Sequence, residues 1–262
     1  MYRGFRLILD DASIKEIKKL NQGHKPVAKL NVDLDIDSVL DSQDAYWIMD
    51  TWFPNYDADI FLSHSHNDCE LKMKLADQLE RMGLKVFVDS EVWRYASELL
   101  RKIDDTYCVK NIDADGSKIY AYERRNKSTA HVYIMLAHAL TRMIDLTECF
   151  IFLDTPNSSI TASRNRVETL SPWLYHELTI ARIIARRPCT RFGKFAEDTS
   201  LENLNESMLN LKYKADTKGL MNVSYSSLQN IMRKVRIETA FYGTNGRRGA
   251  KFLDSLYQDF KL

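Results

Sequence analysis

Glycine and proline are scarce in this sequence, nine and five among 262 residues, and no stretch is low in complexity or visibly repeated. That scarcity argues against a long flexible linker and for a compact chain. No apolar run approaches the length of about 20 residues that a membrane-spanning helix requires. The opening residues mix Arg3, Arg6, Asp10 and Asp11 with apolar neighbours, so the uninterrupted apolar stretch of a signal peptide is missing. An excess of charge is missing too: 37 Lys plus Arg stand against 36 Asp plus Glu, a formal net charge of +1. Such a chain has no global field to draw nucleic acid or an anionic membrane, and any partner must be recognised locally. The four cysteines, Cys69, Cys108, Cys149 and Cys189, are scattered, and no pair has the spacing of a zinc knuckle or a redox motif. The expectation is a soluble cytoplasmic protein with reduced structural thiols, no metal site, and neither nucleic acid nor membrane as partner.

Residues Ser13 to Asn21 place Ile14, Ile17 and Leu20 at helical spacing, which predicts a short amphipathic helix. The following region, polar and partly acidic, carries Trp47, Trp52 and Phe53; residues 1–55 read as an extension packed on a main domain. At Asp59 the pattern changes. Ile60, Phe61 and Leu62 form a short apolar run that ends in the polar cluster Ser63 to Asp68, the signature of a buried strand running into a loop and a helix cap. Leu71, Leu75, Leu79 and Met82 then share one helical face, and Gly83 follows as a stop. Leu84 to Val88 makes a second apolar strand, so strand, helix and strand fit a right-handed crossover between parallel strands.

Further on, the pattern predicts a helix over Ala96 to Asp104, a surface hairpin or loop over Asp113 to Lys127, and a long helix capped by Ser128 and running through Met143. A buried strand over Cys149 to Leu153 and a polar loop over Thr155 to Leu170 come next. Ser171 and Pro172 are good opening residues for a helix over Trp173 to Arg187. A last strand over Leu211 to Ala215 and a last helix over Ser226 to Arg236 complete the reading. Strands alternating with helices imply an α/β fold, a central parallel sheet flanked by helices, whose ligand crevice lies beyond the carboxyl ends of the strands. Ser63, Asp89 and Asp154 sit at those ends.

The run Asp59-Ile-Phe-Leu-Ser-His-Ser-His-Asn-Asp68, followed by Gly83-Leu-Lys-Val-Phe-Val-Asp89, resembles the opening strand, helix and second strand of TIR (Toll/interleukin-1 receptor) domains, especially stand-alone bacterial ones. Family members that cleave NAD have a Trp-x-x-x-Glu motif at the start of a helix, and Trp173-Leu-Tyr-His-Glu177, preceded by Ser-Pro, matches it. The resemblance covers residues 56–187. It implies a flavodoxin-like TIR fold over 56–240, with an N-terminal addition at 1–55 and a C-terminal tail at 241–262. It also implies an NAD nucleosidase or ADP-ribosyl cyclase with NAD+ as substrate rather than cofactor. The further implication is a signalling role in antiphage defence, in which an ADP-ribose-derived, cyclic or conjugated product reaches a separate effector.

Cleaving the nicotinamide bond builds positive charge on the ribose, as in glycoside hydrolysis, and a fixed carboxylate facing the sugar stabilises that charge. Glu177 is the candidate, with Trp173 one turn earlier on the same helix face to shield the carboxylate or stack on nicotinamide. Ser63, His64 and Ser65 offer hydroxyl and imidazole hydrogen bonds to ribose or phosphate at the crevice mouth. Asp89 ends the second strand. Trp93, Arg94 and Tyr95 fall in the loop that, in TIR domains, covers the site and mediates self-association; Arg94 can pair with phosphate, and Trp93 or Tyr95 can stack on a base.

Each residue also has a plainer role. Glu177 suits the first turns of any helix through the macrodipole, Trp173 fits a core as well as a pocket, and Ser63 and Asp68 are good helix caps. Two other functions fit the same features. One is a non-enzymatic TIR interaction module that docks through the Trp93 to Ser97 segment. The other is an enzyme resembling nucleoside deoxyribosyltransferases, a related fold with a carboxylate nucleophile. A serine hydrolase is excluded by the absence of a Gly-x-Ser-x-Gly elbow.

Overall fold

The computed structural model describes residues 1–21, 44–88, 90–163, 166–187, 189, 213–215, 217 and 219–260. Five parallel strands form the central sheet: β1 (Arg3–Ile8), β2 (Ile60–Ser63), β3 (Val86–Val88), β6 (Cys149–Asp154) and β10 (Met221–Ser224). Their spatial order is β10-β1-β6-β2-β3. Read from the β3 edge, β3, β2 and β6 stand as the second, first and third strands of a flavodoxin-like 2-1-3-4-5 sheet. The fourth place is filled by the chain's own first strand. The fold is α/β, a parallel sheet flanked by helices, consistent with the flavodoxin-like class.

The residues expected to form an N-terminal extension therefore include an inner strand. Phe5 and Leu7 of β1 point into the core while Arg6 points to the opposite face. The Arg6 guanidinium is taken up by Asp154 at the end of β6, Nε donating to Oδ2 at 2.7 Å and an Nη lying 2.5 Å from the same oxygen. Arg3 donates to the carbonyls of Tyr257 and Phe260 at 3.3 and 3.1 Å. These partners let two arginines occupy an inner strand of the sheet.

The chain divides into two compact units, residues 1–25, 57–88 and 144–262 in one and 26–56 and 89–143 in the other. In the first, the sheet packs against α1 (Asp11–Lys18), α3 (Cys69–Glu80), α7 (Tyr225–Phe241) and α8 (Arg248–Asp259). Ile17, Leu71, Leu75, Leu79, Leu228, Ile231, Val235, Phe252 and Leu256 join Phe5, Leu7, Ile60, Leu62, Ile151 and Leu153 in one core. The other face of the sheet carries Phe61, flanked by Phe87 and Phe150 at ring-centroid distances of 5.2 and 5.7 Å. The segment expected to be a C-terminal tail is thus a core helix, with Phe252, Leu253, Leu256 and Tyr257 buried at helical spacing.

The second unit holds α2 (Ala45–Trp52), α4 (Ser90–Ile103), a π-helical turn at Asp104–Cys108, the hairpin β4 (Val109–Ile112) and β5 (Lys118–Tyr120), and most of α5 (Tyr122–Leu146). The hairpin, Val109 to Tyr120, overlaps only the first part of the hairpin or loop expected over Asp113 to Lys127; residues 122–127 belong to α5 instead. The long helix starts six residues before Ser128, which is therefore not its cap. The Ser128 hydroxyl, buried inside α5, donates to the buried carboxylate of Asp104, which also accepts Arg125 Nε at 3.0 Å. Helix α4 begins at Ser90, earlier than expected, because no glycine or proline interrupts Ser90 to Ile103. In the first unit, the expected loop over Thr155 to Leu170 contains two antiparallel strands, β7 (Ile160–Ser163) and β8 (Arg166–Thr169). The last expected strand, β9 (Tyr213–Lys214), pairs with β8 and not with the central sheet. No helix of the described residues is long and apolar enough to cross a membrane.

Candidate functional site

In a sheet of this order the strand sequence reverses between β2 and β6, and a crevice opens beyond the carboxyl ends of strands at such a switch point. The residues at those ends are polar and buried. On β2, Ile60 and Leu62 face the core described above, so Phe61 and Ser63 face the opposite side. Ser63 is 0% exposed, and its hydroxyl donates to Glu177 Oε2 at 2.6 Å.

Glu177 reaches that point because of how its helix begins. Ser171 accepts from the Leu174 amide at 3.3 Å and Pro172 supplies the first turn of α6 (Pro172–Ile183). Leu174, Leu178 and Ala181 define the buried face, and Glu177, three residues after Leu174, lies on it with 0% exposure. A carboxylate removed from water is costly unless hydrogen bonded, and a hydroxyl donating to an ionised oxygen is among the stronger neutral partners. Trp173 is half-buried, one turn before Glu177, with its ring 6.3 Å from the His176 ring in an edge-on arrangement.

The loop after β2 is equally closed in. His64 is buried, with Nδ1 3.3 Å from the Leu62 carbonyl. Ser65 caps a short 3-10 turn, accepting from Asn67 N at 3.4 Å. Asp68 precedes α3 but makes no capping bond. Its carboxylate accepts instead from Thr155 Oγ1 at 2.5 Å and Asn157 Nδ2 at 2.7 Å. Those partners belong to the loop that leaves β6, where Ser158 Oγ also donates to the Leu153 carbonyl at 2.8 Å. Asp154, besides holding Arg6, accepts from Ser159. Two groups of side-chain hydrogen bonds thus hold the end of β6 and the loop that leaves it: Asp154 to Arg6 of β1, and Thr155 and Asn157 to Asp68 in the segment after β2.

Of the residues singled out from sequence, Glu177 and Ser63 are in direct contact, His64 and Ser65 follow at the end of the same strand, and Trp173 sits one turn from Glu177. Asp89 lies outside the described residues. Trp93, Arg94 and Tyr95 lie on the first turns of α4, in the second unit, where helix replaces the expected loop. Asp68, Thr155, Asn157 and Arg6 were not assigned to the site from sequence. The ending of an apolar strand in Asp154-Thr155, directly before a turn-rich Pro-Asn-Ser-Ser, was the signal available for two of them. Among the described residues, no group of three or more His, Cys, Asp or Glu is arranged to hold a metal ion. No family model matches the chain, and no curated protein or solved structure matches it significantly.

Proposed function

We propose that this chain cleaves the nicotinamide–ribose bond of NAD+ and that Glu177 is the carboxylate that faces the ribosyl cation. The reading rests on one observation. A fully buried carboxylate, on the helix that carries the Trp173-x-x-x-Glu177 motif, is bonded to Ser63 at the switch point of the sheet. A carboxylate fixed in a water-poor surrounding stabilises developing positive charge far better than one in bulk water. The oxocarbenium-like transition state of N-glycosidic cleavage supplies that charge as nicotinamide departs. Trp173 stands close enough along the helix to cover one side of the departing base.

The fate of the ADP-ribose follows from which nucleophile meets the cation: water gives the free product, an internal adenine or hydroxyl gives a cyclic one. A cyclic, ADP-ribose-derived signal acting on a separate effector in antiphage defence is the form of the reading that the TIR resemblance supports. The test is incubation of the full chain, dilute and concentrated, with NAD+, followed by mass spectrometry of the nucleotide products. Release of nicotinamide with a matching ADP-ribose species supports the proposal. NAD+ left intact under both conditions, or turnover that survives Glu177→Ala, contradicts it.

A further inference from the structure

Catalysis by Glu177 requires a sugar to approach its carboxylate to roughly 3–3.5 Å. Yet Glu177 and Ser63 are both 0% exposed, and the carboxylate oxygen Oε2 is already engaged by the Ser63 hydroxyl. No sugar reaches that oxygen while the bond is made. We propose that the Ser63–Glu177 hydrogen bond is a latch that keeps the site shut in the resting chain, and that substrate meets Glu177 only after the first turns of α6 part from the tip of β2. This rests on the NAD reading for what the open state does; the closed state and its latch are independent of it.

The construction of α6 suits such a movement. Its entry is fixed by local bonds: the Ser171 amide donates to Thr169 Oγ1 at 3.2 Å, and Ser171 in turn caps Leu174. Thr169 and Glu168 of β8 are buried just before it. The bond from Ser63, 114 residues away in sequence, is of another kind, because it ties the helix to the sheet. Parting that bond leaves the cap and its anchor to β8 intact. Opening is then a shift between two populations, and whatever favours the open one, substrate included, activates the site by its preference for that state.

A latch and a positioning group predict opposite signs. If Ser63 only oriented Glu177 for chemistry, removing its hydroxyl would slow turnover. A latch, when removed, raises the open population, because the closed carboxylate loses a donor that water replaces in the open state. The expected gain is about tenfold, equivalent to about 1.4 kcal/mol.

The experiment is carbodiimide-driven coupling of an amine to accessible carboxyl groups in the full chain, mapped by peptide mass spectrometry. Wild type, Ser63→Ala and the hydroxyl-retaining Ser63→Thr are compared, and NAD+ turnover is followed in parallel at the same dilute concentration. Asp68 and Asp154, which are also buried, report on general loosening. The latch predicts about tenfold faster modification of Glu177 in Ser63→Ala, slow modification restored in Ser63→Thr, and no change at Asp68 or Asp154. Unchanged modification of Glu177, or a rise shared by all three carboxylates, overturns it. Faster modification with NAD+ left intact, both here and by the concentrated chain, leaves the latch standing and removes the NAD reading. Glu177-dependent turnover that falls in Ser63→Ala, with modification unchanged, does the reverse.

Discussion

Gly249 is the position where the packing of the last helix onto the sheet unit is most sharply testable. It lies in the first turn of α8, and a Cβ built there falls 2.8 Å from the carbonyl oxygen of Gly83, 3.2 Å from its carbonyl carbon and 3.2 Å from Leu84 Cδ2. Two of those atoms are backbone. They sit in the turn between α3 and β3, where Gly83 has φ +83°, a conformation that favours glycine. The turn cannot swing aside as a flexible side chain would, so Gly249→Ala must push α8 away from it. Overpacking of this kind costs about 1–3 kcal/mol, and replacing glycine by alanine in a helix returns up to about 1 kcal/mol. The net expectation is a loss of about 1–2 kcal/mol. For a chain of this size that lowers Tm by about 2–8 °C, at about 2–4 °C per kcal/mol. Thermal and urea melts of Gly249→Ala measure it, with Gly246→Ala as the control, since nothing lies within 4 Å of a Cβ there. A Gly249→Ala variant as stable as wild type, or more so, would refute the close approach of α8 to the Gly83 turn.

Phe5→Ala tests whether the first strand belongs to the core. Phe5 is 1% exposed, stacked 6.0 Å from the Tyr257 ring and edge-on 6.5 Å from Phe260, so its loss is expected to cost about 3–5 kcal/mol in urea unfolding; a cost below about 1 kcal/mol would mark it as an appendage. Thiol labelling of the native chain should modify the exposed Cys69 first. Burial pushes the Cys149 thiol far above its ordinary range, so Cys149 reacts only on unfolding, and equal rates at both sites would contradict the core. In the hairpin unit, the Tyr120 hydroxyl at 2.6 Å, and then Lys118 Nζ at 2.9 Å, hold the Asp105 carboxyl below the usual aspartate value. A depressed folded value means stabilisation that is complete above the ordinary value of about 3.9 and lost as pH falls through the folded one. The Tyr120 and Lys118 resonances should therefore shift together in acid, below about pH 4, and Asp105→Asn should abolish that step.

The elements that sequence made legible are those whose burial is on both faces or whose ends are chemically marked. Ile60 to Leu62 and Cys149 to Leu153 are uninterrupted apolar runs because central parallel strands are covered on both sides. Helix α3 is closed by Gly83 and α6 is opened by Ser171-Pro172. Strand β1 was hidden because Arg3 and Arg6 break its pattern, and what neutralises them, the carbonyls near the end of α8 and the Asp154 carboxylate, is distant in sequence. Strand β10, Met221–Ser224, is an edge strand with alternating exposure and little apolar content. Helix α8 was within reach of periodicity, since Phe252, Leu253 and Leu256 repeat at helical spacing. At the site, Glu177 was singled out through the likeness of Trp173-x-x-x-Glu177 to a family motif, on a helix whose apolar side, Leu174, Leu178 and Ala181, was legible from spacing. The bond of Glu177 to Ser63 was not, because that requires the register of helix on sheet.

The central claim, that the Glu177 carboxylate carries N-glycosidic cleavage, is tested most directly by the initial rate of nicotinamide release from NAD+ by wild type and Glu177→Gln. The amide keeps the volume of the side chain and can still meet Ser63, while the negative charge is gone. The account predicts that wild type releases nicotinamide and that the variant, equally folded, is slower by roughly a hundredfold or more. Equal rates in the two proteins would contradict it.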